Sequence, residues 1–400
     1  MKKKIVVVHL LNDYSGSPRV LATAITGFQK AGWQIDLYTS KGPGFLSACD
    51  GCCLWQMPYR FHENKWMRLW ALLRVQLWLF VRLVGRYRHY SNSDVVFYLN
   101  TLMPFGAALA GKILGKRVVY HIHETSVRPP VLKRWLRFVA RHTAHHAIFV
   151  SRFLQKQEAL KGVPSSVVYN ALSEDFIRQA EQYQQVSDMR RPFTVLMLCS
   201  LKDYKGVAEF VALAARLPQF QFELVLNATM EEIRQWFALR QIEITDNLIV
   251  FPAQRNVHPF YQRAHLVLNL SYPERWIETF GMTLLEAMWY GKPVIAPPVG
   301  GPTELVQHGQ NGLLIQPKDI AQLAHAIELL AKDQSLYTHM AAQARISAQK
   351  FSIVHMKQKI VETVGEVPTQ LLERHGRKRF SASDRSGSTH THSFLINRPE

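Results

Sequence analysis

Acidic residues are scarce in this 400-residue chain: 30 Asp and Glu stand against 48 Lys and Arg, a formal net charge of +18 at pH 7. Cysteine is rarer still. Cys49, Cys52 and Cys53 crowd one short loop and Cys199 stands apart. No His or Cys cluster elsewhere completes a zinc pattern. So few cysteines also exclude the disulfide framework of a small secreted chain, and reduced thiols in a cytosolic protein are expected. No export signal opens the sequence, because the apolar run after Met-Lys-Lys-Lys is short and passes straight into a polar turn.

A long uninterrupted apolar run is absent too. The most hydrophobic stretch, residues 66–84, is broken by Arg68, Arg74 and Arg82, whereas a membrane span needs roughly 20 apolar residues with few charges. Trp66, Leu69, Trp70, Leu73, Leu77, Phe80, Val81 and Val84 recur instead at helical spacing. That stripe predicts a helix packed on a sheet or, on the other reading, a face touching lipid headgroups. The Gly-x-Gly-x-x-Gly fingerprint is missing after the first strand, which argues against a dinucleotide-dependent dehydrogenase. No Asp-x-Asp metal site is recognisable.

What is present is ordinary globular composition, 48% apolar and 20% charged. Four hundred residues exceed one hydrophobic core, so two domains are expected. Short β-branched strands alternate with helical stretches from Lys4 onward, pause in the polar segment 179–192, and restart at Phe193. This implies two successive α/β domains, residues 1–186 and 187–345, each with a parallel sheet covered on both faces. Residues 365–400 read as a disordered tail. The charge is lopsided: residues 1–185 hold 25 Lys/Arg and 10 Asp/Glu, so the first domain is expected to meet something anionic.

One stretch concentrates chemistry. Glu278-Thr-Phe-Gly-Met-Thr-Leu-Leu-Glu286 is followed by Gly-Lys-Pro-Val-Ile, and it begins after the apolar strand ending at Ser271. Gly281 permits a tight turn into a helix, whose free N–H groups and dipole suit a phosphate. One carboxylate before the helix and one inside it serve different parts of a single ligand, such as sugar and ribose hydroxyls. The plainer alternative makes Glu278 a helix cap and Glu286 a surface residue.

The stretch resembles the nucleotide-sugar signature of the retaining glycosyltransferases of family GT4, and the similarity runs over roughly residues 4 to 360. The resemblance implies the GT-B architecture, two Rossmann-like domains facing each other across a cleft, with residues 346–364 forming a helix that returns to the first domain. It also implies donor contacts from Phe280, Gly281, Met282, Thr283 and Glu286, and a catalytic role for Glu278. Ser200-Leu-Lys-Asp-Tyr-Lys205 is similar to the family segment whose basic pair holds the donor diphosphate, here Lys202 and Lys205. Many members carry Arg where this chain has Ser200, so half of that clamp departs from the pattern. His123, at the end of Val-Val-Tyr-His-Ile-His, matches the family's catalytic-site histidine, with His121 on the same strand face as its rival. Gly16 and Ser17 match, more loosely, a Gly-Gly phosphate or acceptor loop.

The implied reaction transfers a sugar from a nucleotide-sugar co-substrate to a hydroxyl, with retention and with no metal or other cofactor. The basic first domain suggests a lipid-diphosphate-linked saccharide acceptor in O-antigen or capsule assembly, an anionic membrane surface, and a cytoplasmic enzyme peripheral to the inner face of the plasma membrane. The alternatives are another GT-B enzyme such as an epimerase, or a nucleic-acid-binding protein. Basic residues scattered through α/β elements without a binding module count against the last.

Overall fold

The computed structural model describes residues 3–47, 49–91, 94–183 and 192–366. Its strands form two parallel sheets. The first contains β1 (Lys4–Val8), β2 (Gln34–Ser40), β3 (Cys53–Met57), β4 (Val95–Asn100), β5 (Arg117–Ile122), β6 (His146–Phe149) and β7 (Ser165–Val167), in the order β3-β2-β1-β4-β5-β6-β7. The second contains β8 (Thr194–Cys199), β9 (Gln221–Leu226), β10 (Leu248–Phe251), β11 (Leu266–Leu268), β12 (Val294–Ala296) and β13 (Gly312–Leu314), in the order β10-β9-β8-β11-β12-β13. In both, the chain steps outward from its first strand and then jumps to that strand's other side. β1 therefore lies beside β4, and β8 beside β11. At such a reversal the loops leaving the carboxyl ends part and open a crevice.

Parallel strands need crossover helices, which cover both sheet faces and make the strands apolar throughout. β1 and β4 are buried at every position. Alternate residues feed different layers. Ile5, Val7, Val96 and Val119 pack with the helix Gly16–Lys30 and with the chain's last described helix, Ile353–Glu366. Val6, Val8, Phe97, Leu99 and Val118 pack under the helices Lys65–Gly85, Phe105–Ile113 and Pro130–Thr143.

Three details differ from the sequence reading. The polar segment 179–192 is not all linker: the helix Glu174–Gln182 extends into it because Ser173 caps the Phe176 N–H and Phe176 and Ala180 are buried. Residues 184–191, and the tail from 367, lie outside the described residues. The helix that returns to the first domain starts at Ile353, since residues 346–349 finish the helix Gln334–Gln349, which packs against Met282–Trp289.

The third concerns the hydrophobic stretch. Lys65–Gly85 is one helix, capped by Asn64, and it packs on the sheet through Ala71, Leu72, Val75, Gln76, Leu79 and Leu83. The bulky stripe expected to pack is turned outward, with Trp66, Trp70, Leu73, Leu77 and Val81 exposed. Two apolar stripes share this helix, and the one with smaller residues fits against Phe105–Ile113, where the Gly106 N–H donates to the Gln76 side chain at 2.8 Å. Among the described residues no helix is long and apolar enough to cross a membrane.

Candidate functional site

In the second domain, the neighbouring strands β8 and β11 bring two loops together. After β8 the chain makes a short 3₁₀ turn, Asp203–Lys205, and enters the helix Val207–Arg216. After β11 a long loop leads to the helix Met282–Trp289. The loops are stitched by the Tyr272 N–H, which donates to the Tyr204 carbonyl at 2.8 Å. Lys205 Nζ lies 3.0 Å from Glu278 Oε2 and 3.3 Å from Ser271 Oγ. It also sits 5.5 Å from the Trp276 ring centroid, and that ring stacks on Tyr204. Lys202 stands exposed at the start of the 3₁₀ turn.

Gly281 has φ 105°, a left-handed conformation that side-chain-bearing residues rarely adopt, and no side chain caps the helix it starts. Glu278 is thus not a helix cap; its carboxylate is spent on Lys205. The first helical turn presents the half-buried Met282 and Thr283. Phe280 is buried, its ring packed near Tyr169 of the first domain and near Phe351, so the side chain acts as a wedge between elements. Behind the loop, the Gly301 N–H donates to the Glu278 carbonyl at 2.8 Å. A Cβ on Gly301 would lie 2.2 Å from the Thr279 carbonyl oxygen, so only glycine permits that approach.

Glu286 is buried rather than on the helix surface. It accepts from Tyr261 Oη at 2.7 Å and pairs with Arg19 at 2.6 Å. Burial, reinforced by this carboxylate, raises the Tyr261 hydroxyl well above its ordinary range. Arg19 belongs to the first domain, one turn into the helix that begins at Gly16.

In the first domain the register pairs Asn100 of β4 with His121 of β5, so the carboxyl ends of β1, β4 and β5 deliver His9, Asn100 and His123 to one edge. His123 Nε2 donates to Asn100 Oδ1 at 2.8 Å, His9 Nδ1 donates to the Asn100 carbonyl at 3.2 Å, and Asn100 Nδ2 donates to the Ser17 carbonyl at 3.2 Å. Asn100 therefore ties the Gly16-Ser17 turn to the histidine. A Cβ placed on Gly16 would meet nothing within 4 Å, so this turn borders open space. The next residue, Thr101, has φ 79°, an unusual conformation for a β-branched residue beside such a cluster.

The rival histidines are separated by burial. His121 is wholly enclosed, with Nδ1 at 2.6 Å from Tyr98 Oη, while His123, its ring centroid 4.2 Å away, is partly exposed at the strand's end. Burial lowers His9 to about 4 and His121 to about 3. Burial and the two neighbouring imidazoles hold His123 well below the ordinary histidine range. All three rings are neutral at pH 7. Glu124 moves the other way, raised to about 6 by burial, although it accepts from the backbone N–H groups of Leu102 and His123.

The two edges face a cavity of about 280 Å³. Its walls are Thr125, Ser126, Arg128, Lys133, Gln157 and Glu158 of the first domain, and Pro273, Glu274, Arg275 and Ile277 from the segment just before Glu278. The domains also clasp beside it: Glu304 of the second accepts from the Arg152 and Phe153 N–H groups and from Tyr169 Oη of the first. Among the described residues no group of three His, Cys, Asp or Glu could hold a metal ion. The four cysteines are free. The arrangement sets Lys202, Lys205 and a bare helix N-terminus beside one wall of the cavity and a neutral, hydrogen-bonded imidazole beside the other.

Arg19, Asn100 and Glu124 escaped the sequence reading. Nothing in sequence links Arg19 to a carboxylate 267 positions away. Gly300-Gly301, in contrast, follows within six residues of the Gly-Lys-Pro-Val-Ile run and is a local signal.

Comparison with known proteins places the chain. The family described as "Glycosyl transferases group 1" matches residues 179–347, and "Glycosyltransferase Family 4" matches residues 14–176. Among curated relatives, the N-acetyl-alpha-D-glucosaminyl L-malate synthase of Bacillus anthracis is 28% identical over 254 residues, covering 60% of this chain and 66% of that protein. The chain thus spans just under two thirds of that relative, and 47% of the next, an uncharacterized glycosyltransferase of Haemophilus influenzae. Among solved structures, Anabaena HepE in complex with UDP and glucose superposes with a TM-score of 0.69 at 22% identity, covering 90% of this chain and 99% of that one. The fold is GT-B.

Proposed function

We infer the activity from one premise: the chain belongs to the glycosyltransferases of group 1 and family 4, whose descriptions match residues 179–347 and 14–176. The reading is a retaining transfer of a sugar from a nucleotide-sugar donor to a hydroxyl of a lipid-diphosphate-linked saccharide, in surface polysaccharide assembly such as O-antigen or capsule. The observation that carries it is the Lys205–Glu278 pair at the β8–β11 reversal, set one residue from the interdomain cavity whose opposite wall begins two residues after His123.

In this reading the bond from the anomeric carbon to the diphosphate oxygen breaks, and the bond from that carbon to the acceptor oxygen forms on the same face. The acceptor proton passes to the leaving phosphate. Charge grows on the diphosphate, so positioned cations and amide donors lower the barrier. Lys205, Lys202 and the uncapped N–H groups at Met282 and Thr283 supply them, with the Gly16-Ser17 turn closing from the first domain. Glu278 takes sugar hydroxyls, and Glu286 takes ribose hydroxyls. His123, neutral and with Nε2 committed to Asn100, offers Nδ1 as an acceptor to the transferring sugar. No step calls for a metal, so EDTA and added Mg²⁺ are expected to leave the rate equal. The basic first domain suits the acceptor's diphosphate, and the enzyme is assigned to the inner face of the plasma membrane.

A binding and hydrolysis screen of UDP-, GDP-, ADP- and dTDP-sugars tests this. One nucleotide bound selectively by the wild type, and lost in Glu286→Ala, is the expected outcome. Indifference to all four overturns the donor site.

A further inference from the structure

The outward stripe of Lys65–Gly85 is not an isolated feature. Trp66 is 80% exposed, Trp70 64%, Leu73 52% and Leu77 65%, and they follow one another along one helix face. Pro130–Thr143, in the same layer on the far side of Phe105–Ile113, turns out Val131, Trp135 and Phe138, with Val131 71% exposed. Trp135 reaches back to the Phe105 ring, so the helices form one layer. Other exposed apolar side chains, such as Leu239 and Val354, stand singly and need no explanation. Exposed apolar stripes of this kind mark an interaction site.

Its surroundings are poor in acid, although the buried Glu158 pairs with Lys133 and Arg137 of the second helix. Residues 51–93 contain seven Lys/Arg and one Glu, and residues 125–157 contain seven Lys/Arg and no acidic residue. Arg74 lies over Trp70 and Arg68 over Phe61, with cations 5.1 and 5.3 Å from the ring centroids. Arg134 and Arg141 are exposed on the second helix. Two tryptophans and two leucines flush with arginines match the layered chemistry of a lipid interface, apolar below and anionic at the headgroups. A protein partner of equal size would need acidic groups at both helices and an apolar groove between them. A bilayer supplies both without shape matching.

We propose that the outer faces of Lys65–Gly85 and Pro130–Thr143 form one docking surface for an anionic lipid bilayer, and that docking turns the cleft toward the membrane. This rests on the lipid-linked acceptor reading above. The second helix carries the link: Lys133 lines the interdomain cavity beside Arg128, while Val131 and Trp135 of the same helical turns face outward. A lipid whose tails stay in the bilayer has only the width of that helix to cross before its diphosphate reaches Arg128 and Lys133, where it must displace Glu158, which holds Lys133 at 2.6 Å.

Sedimentation with phosphatidylcholine vesicles, with and without phosphatidylglycerol, tests the surface. The full chain is expected to pellet with the anionic vesicles and to be released by high salt, since the Debye length falls from about 10 Å at 0.1 M to about 3 Å at 1 M. The double variant Leu73→Glu/Leu77→Glu is expected to lose about tenfold or more in vesicle partitioning while melting, and binding nucleotide sugar, like the wild type. Arg134→Glu/Arg141→Glu should lose binding to anionic vesicles alone. Wild type that stays in the supernatant, or a leucine variant that pellets equally, overturns the proposal. So does self-association abolished by the leucine variant without vesicle binding, which assigns the face to a second copy. Failure of the glycosyltransferase reading looks different: vesicle binding persists and no nucleotide sugar binds.

Discussion

Arg19 of the first domain lies 2.6 Å from Glu286 of the second, and this ion pair ties the helix after the Gly16-Ser17 turn to the helix after Gly281. Glu286 is also the carboxylate assigned to ribose in the proposed function, so donor entry must exchange a guanidinium for two hydroxyls. Arg19→Ala is expected to cost about 3 kcal/mol, the low end for breaking a buried pair because Arg19 keeps some solvent contact. Denaturant unfolding measures it. Small-angle scattering should show a larger radius of gyration for the nucleotide-free variant than for wild type, and the difference should vanish with donor bound.

Lys205 and Lys202 should separate kinetically. Lys205 is held by Glu278 and Ser271 and is preorganised, whereas Lys202 is exposed. Loss of one positioned electrostatic group costs on the order of 100-fold in rate. Lys205→Ala is therefore expected to lower kcat/KM by about that factor, and Lys202→Ala by less, with most of its effect on KM. Equal losses in the two variants would falsify the assignment.

The buried histidines make the fold acid-sensitive. His9 and His121 are lowered to about 4 and about 3, from an unfolded value near 6.5. A base depressed in the folded state contributes stability that is complete above its unfolded pKa and is lost as pH falls through the folded one. For His9 that amounts to about 3 kcal/mol between pH 6.5 and 4. Glu124, raised to about 6, works oppositely: its contribution is present below its unfolded pKa and lost as pH rises through 6. Chemical denaturation across pH 4 to 7 should show a net fall on acidification, shallower in His9→Asn. The kcat profile from pH 6 to 8 should carry no inflection from His123.

Gly301→Ala reports on positioning alone, because the residue touches no proposed ligand. Its Cβ would collide with the Thr279 carbonyl, and the loop holding Glu278 must move. A misplacement of about 1 Å costs on the order of 100-fold in rate. A kcat loss of that order, with nucleotide affinity changed much less, is expected from single-turnover kinetics with the donor in excess.

The strands of the second domain were legible in the sequence because each is a short apolar run between turn residues, and buried parallel strands must be apolar along their length. β3 and β7 were not. They are edge strands: β3, Cys-Leu-Trp-Gln-Met, is mostly exposed and β7, Ser-Ser-Val, is half-buried, so neither carries the pattern. Glu278 and Glu286 could be singled out by local spacing, since a strand, a glycine turn and a helix are all coded within one segment. Whether each carboxylate stood free or paired could not, for their partners come from 73 and 267 residues away.

The helix at 65–85 draws the division most clearly. Sequence by itself determined that it is a helix, that it cannot span a bilayer, and that it carries bulky apolar residues among arginines. Periodicity is the same for a stripe facing in and a stripe facing out, and here two stripes compete for one helix. Tertiary structure decided between them, because Phe105–Ile113 approaches closely at Gly106 and accommodates the side holding Ala71, Val75 and Gln76. That leaves the tryptophans outward.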